Sequence, residues 1–342
     1  MMIEHLKSGL SVSTHVGCSM GCSYCVLSKL DNFKAGSRRS MFPKEIIGQL
    51  KSRDCLFLNG ETPLIINNRT DPLLPAVAQD TMELLDLIRK EEIKSPVLLI
   101  SKFVPPRAMK EYFEKMNLIF IYSYSNIDTD FNYKNVDYSL GQIRKIVPQG
   151  HRFHYFRPII DGYNDDIDEI SALIKKFCDF GFDGSILTGL RVTSENCHMI
   201  SDDISFDPQH KLIKESLFSA VTEQLKKQDV KYQVFRHTSC VVALFTHRKN
   251  KLFYFNRENH CSIQCVNYAI CGKQENEELS HIVSELKKKF GYNFVCTIRD
   301  AIMNIESEVS QEQVAYIKNA YGIRVNAINV VLSPSEREIL KV

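Results

Sequence analysis

The sequence predicts an α/β protein in which parallel strands alternate with crossover helices. Three observations support this: short apolar runs with strand character, segments with apolar residues at helical spacing between them, and turn residues at their boundaries. Parallel strands cannot be joined by a tight turn, so each pair needs a connection of helical length. In such sheets and barrels the chemistry gathers at the carboxyl ends of the strands.

The alternation extends from about residue 63 to residue 190. Apolar runs predict strands over 63–68, 96–101, 118–125, 153–160 and 184–190, after an earlier strand candidate over 10–16. Helical spacing predicts helices over 76–93, 105–116, 138–147 and 167–181. The helix over 105–116 has proline near its start and the helix over 167–181 ends at a glycine, as helix boundaries often do.

The pattern changes after Arg191. The sequence predicts a helix over 211–227, a hairpin over 241–256 that turns at 247–250, and an amphipathic helix over 277–290. We therefore predict a core over 1–195, then a helix, hairpin and second cysteine cluster over 196–275. A small α/β appendage is expected over 276–342.

Composition limits the function classes. The 342 residues are 44% hydrophobic and 25% charged, with a formal net charge of +2, as in an ordinary soluble globular protein. Such a charge gives no global attraction to nucleic acid or anionic membranes, so contacts of that kind must be local. Apolar runs fall short of the ~20 residues that span a bilayer, and the first residues lack a signal-peptide core. We expect a cytoplasmic protein without a membrane partner.

Cysteine usage points to metal binding. The chain has 11 cysteines, an odd and high number for a reducing compartment, where disulfides are rare. Seven of them form two clusters. The other four are scattered and are interpreted as core or surface thiols: Cys55, Cys178, Cys197 and Cys296.

The first cluster comprises Cys18, Cys22 and Cys25, with C-x3-C-x2-C spacing and an aromatic residue before the last cysteine. Thiolates at such spacing suit an iron–sulfur cluster or zinc. Three protein ligands leave one coordination position open, as a catalytic site requires. The alternative is a zinc loop with His15 or a distant cysteine as its fourth ligand.

The motif CSMGCSYC resembles the defining motif of the radical S-adenosylmethionine (SAM) superfamily, and the resemblance covers roughly residues 8–195. The segments INNRTDPLLP and RPIIDGYND resemble the branch related to spore photoproduct lyase and DNA repair photolyase-like proteins. The resemblance implies a partial (β/α) TIM-like barrel with a [4Fe–4S] cluster. It also implies that SAM is cleaved reductively to a 5′-deoxyadenosyl radical, which abstracts hydrogen from a substrate.

The same resemblance implies the residues that bind SAM. Tyr24 matches the aromatic position near the adenine. Two loops compete for the amino group of SAM, residues 59–63 (NGETP) and residues 68–72 (NRTDP). We favour the second, with Asn68, Thr70 and Asp71, because it directly follows the better strand, although a plain Asx turn remains an alternative for both.

Further pocket residues are expected at the ends of successive strands. By resemblance these are Ser101, Lys102, Ser123, Ser125 and Arg157. Arg157 is the preferred carboxylate or ribose contact, because a guanidinium forks onto such groups.

The second cluster comprises Cys261, Cys265 and Cys271, and Cys240 lies upstream. Four thiols could hold structural zinc or a second [4Fe–4S] cluster. The segment resembles C-terminal auxiliary-cluster segments of radical SAM proteins, but its C-x3-C-x5-C spacing departs from the common C-x2-C-x5-C form. Free thiols on a loop are the alternative.

Three functions remain open. The first is radical chemistry on a nucleic acid or nucleotide, which the photolyase-like resemblance favours. The second is modification of a peptide or small metabolite with an auxiliary cluster, and the third is a metal-binding scaffold without catalysis. A radical SAM enzyme also needs an electron donor such as flavodoxin or ferredoxin. Resemblance to a fold does not fix the substrate.

Overall fold

A parallel sheet is the central element of the chain. The computed structural model describes residues 3–6, 9–28, 32–52, 60, 62–127, 135–192, 196, 199, 215–230, 232–247, 277–299, 302–321 and 323–331. The strands in these residues are β1 Ile3–Leu6, β2 Gly9–Val12, β3 His15–Val16, β4 Arg38–Arg39, β5 Leu64–Ile66, β6 Val97–Ser101, β7 Leu118–Ser123, β8 Arg152–Ile159, β9 Ser185–Gly189, β10 Val234–Phe235, β11 Cys296–Arg299, β12 Ile302–Ile305, β13 Val309–Ser310, β14 Arg324–Ala327 and β15 Val330–Val331.

The helices of the described residues alternate with these strands. They are α1 Pro43–Ser52, α2 Ala78–Lys90, α3 Lys110–Lys115, α4 Val136–Ile146, α5 Ile167–Asp179, α6 Glu215–Lys227, α7 Thr238–Thr246, α8 Glu277–Phe290 and α9 Gln311–Tyr321. Strands β5 to β9 and helices α2 to α5 overlap the predicted segments, with β8 beginning one residue and α4 two residues earlier than predicted, so the α/β prediction is confirmed. The sequence analysis missed β1, β4, β10 and α1.

The strand order of the sheet is β1-β2-β5-β6-β7-β8-β9-β10. The β1–β2 pair is antiparallel, and every following pair is parallel. The carboxyl ends of seven strands therefore meet at one edge of the sheet, which we call the carboxyl edge. The last strand, β10, comes from the segment predicted as a separate region over 196–275.

One face of the sheet packs against the helices around it. Side chains alternate along a strand, and the positions on this face include the fully buried Leu64, Val97, Leu99, Leu118 and Phe120. Each fully buried side chain of this kind stabilises the fold by ~1.5–3 kcal/mol relative to an exposed one. This packing holds the strands, and therefore their carboxyl ends, in position relative to one another.

The opposite face, which we call the inner face, is covered by helix α7. Ile65, Leu98, Ile119 and Phe153 on this face pack with Val241 of α7. The predicted hairpin over 241–256 is therefore wrong where the structure describes it, because Thr238–Thr246 is helical. A short apolar run without polar alternation fits a buried helix as well as a strand, and only the partner surface decides between them.

A buried arginine joins two helix ends to β8. Arg152 Nε donates to Gly181 O at 2.6 Å, and its Nη1 donates to Val147 O at 2.8 Å and to Arg144 O at 3.2 Å. Carbonyls at helix C-termini need such donors because the helix itself offers none. Arg152 thus anchors β8, whose other end carries Arg157.

The described residues between 277 and 331 contain helices α8 and α9 and strands β11 to β15, while a separate unit over 276–342 stays a prediction. Strands β11, β12 and β14 form a sheet, and β13 pairs with β15. Leu286 of α8, Ile317 of α9 and Met303 of β12 are fully buried. In the described part of the chain, no helix combines the length and apolarity needed to cross a membrane.

Candidate functional site

The loop with the first three cysteines lies at the carboxyl edge. Gly17 N donates to Arg69 O at 3.2 Å, which joins the start of the loop to the segment after β5. Cys18 N donates to Phe33 O at 2.9 Å. Gly17 has φ +94°, and a Cβ there would lie 2.3 Å from Gly36 O, so the loop requires glycine at this position.

Apolar contacts hold the loop against the strand ends. Met20 and Cys22 are buried with Leu74 and Val77, which follow β5. Cys18, Tyr24, Cys25 and Phe103 are partly buried around this cluster. The three thiols therefore sit where the chemistry of parallel α/β proteins is found.

The three thiols are close enough to influence each other. Burial raises the pKa of Cys18 to about 11, and negative charge at Cys22 adds to the rise. Burial also raises the pKa of Cys25, again with a contribution from Cys22. Such thiols stay protonated unless a metal displaces their protons.

Three soft sulfur ligands on one loop fit the donor set of an iron–sulfur cluster. In the ranges that the structure describes, however, no three histidine, cysteine, aspartate or glutamate side chains are already arranged as a metal site. Cys18, Cys22 and Cys25 as ligands therefore stay a prediction, supported by donor chemistry and proximity.

Asp71 connects the loop after β5 to the end of β6. Its buried Oδ1 accepts hydrogen bonds from Ser101 Oγ at 2.6 Å and Leu73 N at 2.9 Å, and its Oδ2 accepts from Lys102 N at 2.8 Å. Burial raises the pKa of Asp71, while these hydrogen bonds oppose the rise. The carboxylate thus holds Lys102 in place, and its bonds within the protein occupy both oxygens.

Lys102 reaches towards the cysteine loop. Its Nζ lies 5.3 Å from the ring centroid of Tyr24. Burial lowers the pKa of Lys102, and negative charge at Cys22, Asp71, Cys18 and Cys25 opposes the change. The ammonium group therefore lies within electrostatic range of all three thiols.

Tyr24 lies at the centre of the site. Its hydroxyl is buried, and its backbone carbonyl accepts a hydrogen bond of 3.2 Å from Asn196 Nδ2. Asn196 Nδ2 also donates to Arg191 O at 3.0 Å, which ties the cysteine loop to the segment after β9. Burial, followed by the nearby Cys22, raises the pKa of Tyr24 above its ordinary value.

The remaining strand-end residues lie on β7 and β8. Ser123 is half-buried, and Ser125 is buried with its carbonyl accepting from Asn164 Nδ2 at 3.0 Å. The guanidinium carbon of half-buried Arg157 lies 5.6 Å from the Tyr155 ring centroid, and its charge opposes the rise that burial causes in the pKa of Cys25. Both segments face the cysteine loop, since Ser125 acts on the side chain of Tyr24 and Arg157 acts on Cys25.

Asn68 and Thr70 lie at the margin of this arrangement. Asn68 is exposed, and Thr70 Oγ1 lies 3.0 Å from Ser37 Oγ. The buried asparagine of the loop is Asn67, whose Oδ1 accepts from Thr14 N at 2.8 Å. Sequence analysis missed it, although an Asn–Asn pair after a strand signals a left-handed residue, and Asn67 has φ 53°.

Several predicted residues lie outside the described residues. These residues are Asn59 and Glu61 of the competing loop, together with Cys261, Cys265 and Cys271 of the second cluster. Cys240 is described: it lies in helix α7 and packs, partly buried, against the apolar side chains of the inner face.

Comparisons with known proteins give a fold relationship. No protein-family model and no curated protein matches the chain in sequence. The chain is similar in structure to a spore photoproduct lyase variant with bound AdoMet (SAM) and dinucleoside spore photoproduct, with a TM-score of 0.51 and 12% identity. The match covers 68% of this chain and 78% of that one. Spore photoproduct lyase complexed with dinucleoside spore photoproduct gives the same values.

A second protein matches more weakly. SuiB of Streptococcus suis, bound to S-adenosylmethionine, has a TM-score of 0.47 and 11% identity over 71% of this chain and 53% of that one. The chain therefore shares the TIM-like α/β fold of spore photoproduct lyase, a radical SAM enzyme. The three-cysteine loop of this chain lies at the carboxyl edge of its sheet.

Proposed function

We propose that this protein is a radical SAM enzyme in which Cys18, Cys22 and Cys25 hold a [4Fe–4S] cluster. The observation that carries the proposal is the position of the three-cysteine loop. It lies at the carboxyl edge of a sheet with the fold of spore photoproduct lyase, against Lys102 and Tyr24. A zinc loop built only for stability would not need to lie at this edge.

When bound, such a cluster binds SAM at its open iron and supplies the electron that cleaves a carbon–sulfur bond. The residues of the chain would bind SAM and orient it. Tyr24 offers a ring for the adenine, and Arg157 a guanidinium for a carboxylate or ribose. Asp71 and Ser101 fix the backbone at Lys102. The apolar contacts around Met20 and Leu74 bury Cys22 and partly shield Cys18 and Cys25 from water.

Anaerobic reconstitution tests the proposal. The protein is loaded with iron and sulfide, its iron content is counted, and 5′-deoxyadenosine is measured after reduction with dithionite in the presence of SAM. We expect at least four iron atoms per chain, as one [4Fe–4S] cluster requires, and formation of deoxyadenosine. A loaded protein that leaves SAM intact would contradict the enzyme and favour the scaffold.

The substrate that we favour is a nucleic acid or nucleotide. The similar structures of spore photoproduct lyase contain dinucleoside spore photoproduct, and exposed cations flank the cysteine loop of this chain, among them Lys34, Arg38 and Arg191. Basic side chains beside a site bind phosphates, and their contribution weakens as salt rises. A peptide or small metabolite is the second candidate, because an auxiliary cluster would permit it.

Deuterium transfer separates these substrates. We expect deuterium from a deuterated oligonucleotide to appear in 5′-deoxyadenosine, whereas a deuterated peptide should give none. The double variant Lys34→Gln/Arg38→Gln should weaken oligonucleotide binding and reduce its salt dependence. The control for each of these two substitutions is Lys175→Gln on α5, because it also removes one positive charge from an exposed position. Deuterium transfer from the peptide and not from the oligonucleotide would show that the substrate is a peptide and not a nucleic acid.

The reaction also needs a one-electron donor, and we propose a flavodoxin or ferredoxin for this role. We also propose that the protein is cytoplasmic.

We further propose that Cys240, Cys261, Cys265 and Cys271 share a second [4Fe–4S] cluster or a zinc ion. Changing Cys261 and Cys265 together to serine should remove that metal and destabilise the C-terminal half, while the first cluster keeps its iron. Metal analysis that shows no difference would leave these residues as free thiols.

A further inference from the structure

The ammonium group of Lys102 has an unusual position. Lys102 follows β6 directly, and its backbone is fixed because its N–H donates to Asp71 Oδ2 at 2.8 Å. Its Nζ lies 5.3 Å from the Tyr24 ring centroid, so the side chain extends over the cysteine loop. A cation over an aromatic ring gains ~0.5–2 kcal/mol, which helps to keep it there.

The ammonium group of Lys102 lies within electrostatic range of the proposed cluster ligands. Withdrawing a charge from water is costly unless an opposite charge compensates for it. The groups whose charge acts on Lys102 are Cys22, Asp71, Cys18 and Cys25, and three of them are the thiols of the cysteine loop. Thiolates bound to iron would place negative charge beside this ammonium group.

We propose that Lys102 raises the reduction potential of the cluster held by Cys18, Cys22 and Cys25, an inference that rests on the proposed function. Reduction transfers one electron from the external donor to the cluster and adds one negative charge at the loop. A fixed positive charge stabilises the reduced form more than the oxidised form. Net charge near a cluster is one of the factors that set its potential.

This role differs from contact with SAM. If Lys102 acts on the cluster directly, its effect on the potential is present before SAM binds. If it acts only by binding SAM, the effect appears only with SAM. Measurements with and without SAM therefore distinguish the two roles.

The experiment is a redox titration of the reconstituted protein, followed by the electron paramagnetic resonance signal of the reduced cluster. The variants are Lys102→Met and Lys102→Gln, which lose the charge, and Lys102→Arg, which keeps it. Lys44→Met, at an exposed lysine of α1, removes the same charge elsewhere. Iron content and the visible spectrum are recorded for each, so that absence of a cluster in the parent protein counts against the proposed function and not against Lys102.

We expect both neutral variants to shift the midpoint to more negative potential without SAM. The shift should change the ratio of oxidised to reduced cluster at least tenfold at a fixed potential, which is about 59 mV for one electron. Lys102→Arg and Lys44→Met should stay within a few-fold of the parent protein. An unchanged midpoint in loaded Lys102→Met, or a shift seen only with SAM, would overturn the inference. Loss of the cluster in both neutral variants would also overturn it, because Lys102 would then be needed for assembly.

Discussion

Ser101 donates a hydrogen bond of 2.6 Å from its hydroxyl to Asp71 Oδ1, which joins the end of β6 to the loop after β5. The bond is buried, and Ser101 Oγ also accepts a hydrogen bond of 2.9 Å from Phe103 N. The two residues therefore set the path of the segment that carries Lys102. This geometry is compatible with two roles of Asp71 in SAM binding. The carboxylate contacts SAM directly, or it positions the residues that contact SAM.

Asp71→Ala should weaken SAM binding by one to two decades, because it removes charge-assisted hydrogen bonds worth ~1.5–3 kcal/mol. It should also lower the free energy of unfolding by ~1–3 kcal/mol, since buried donors at Leu73 and Lys102 lose their acceptor. Calorimetry with SAM and urea denaturation measure the two effects.

Two comparisons sharpen this test. Ser101→Ala removes one hydrogen bond to Asp71 and should cost only ~1 kcal/mol of stability. Glu61→Ala should affect SAM affinity less than Asp71→Ala. The reverse order of the Glu61 and Asp71 variants would move the amino-group contact to residues 59–63.

Replacing Cys18, Cys22 and Cys25 together with alanine should abolish formation of 5′-deoxyadenosine, because no thiolate ligand remains in the loop. Iron content should fall by about four atoms per chain, the content of one [4Fe–4S] cluster. The matched control is Cys178→Ala, which removes a half-buried thiol on helix α5. Cleavage of SAM at the parent rate by the triple variant would refute the central proposal.

Gly17→Ala should disrupt the cysteine loop without removing any thiol. A side chain at φ +94° is strained by ~1–2 kcal/mol, and its Cβ would meet Gly36 O at 2.3 Å. We expect less iron per chain after reconstitution and a lower free energy of unfolding.

The control for this variant is Gly48→Ala in helix α1, where a Cβ would enter open space. Alanine there should stabilise the helix by ~0.5–1 kcal/mol and leave iron loading unchanged. Equal iron content in the Gly17 and Gly48 variants would show that the loop tolerates a different path.

Acid should destabilise the protein through His154. Burial lowers the pKa of His154 to about 3 in the folded chain, from an ordinary value of 6.5. Since only the unfolded chain takes up this proton between those values, stability is fully present above pH 6.5 and is lost as the pH falls towards 3. Urea denaturation should show His154 contributing a loss of about 1 kcal/mol between pH 7 and pH 5.5.

His154→Gln removes this proton-binding group and should reduce that pH dependence, although stability at pH 7 falls because the stacking on Phe177 and the bond to Tyr124 O are altered. The matched control is His281→Gln, the same substitution at an exposed histidine of helix α8. An identical pH profile in the His154 variant would contradict the assignment.

The sequence by itself determined the alternation of strands and helices from residue 63 to residue 190. Apolar periodicity and turn residues are local properties, so they identify elements such as β6 and α5 without knowledge of their partners. The spacing of Cys18, Cys22 and Cys25 likewise predicted a metal loop with an open position. The cysteines follow the strand candidate over 10–16, and the carboxyl ends of parallel strands are where chemistry gathers in such proteins.

Only the tertiary structure decided which polar groups meet. Helix α7 was mistaken for a hairpin, because an apolar run does not reveal which surface will bury it. Asn67, and not Asn68, is the buried amide, since burial depends on packing against Thr14 and Thr81. Asn196 reaches the carbonyl of Tyr24 across 172 positions of sequence. Such contacts depend on how distant segments fold together, and no local pattern in the chain encodes them.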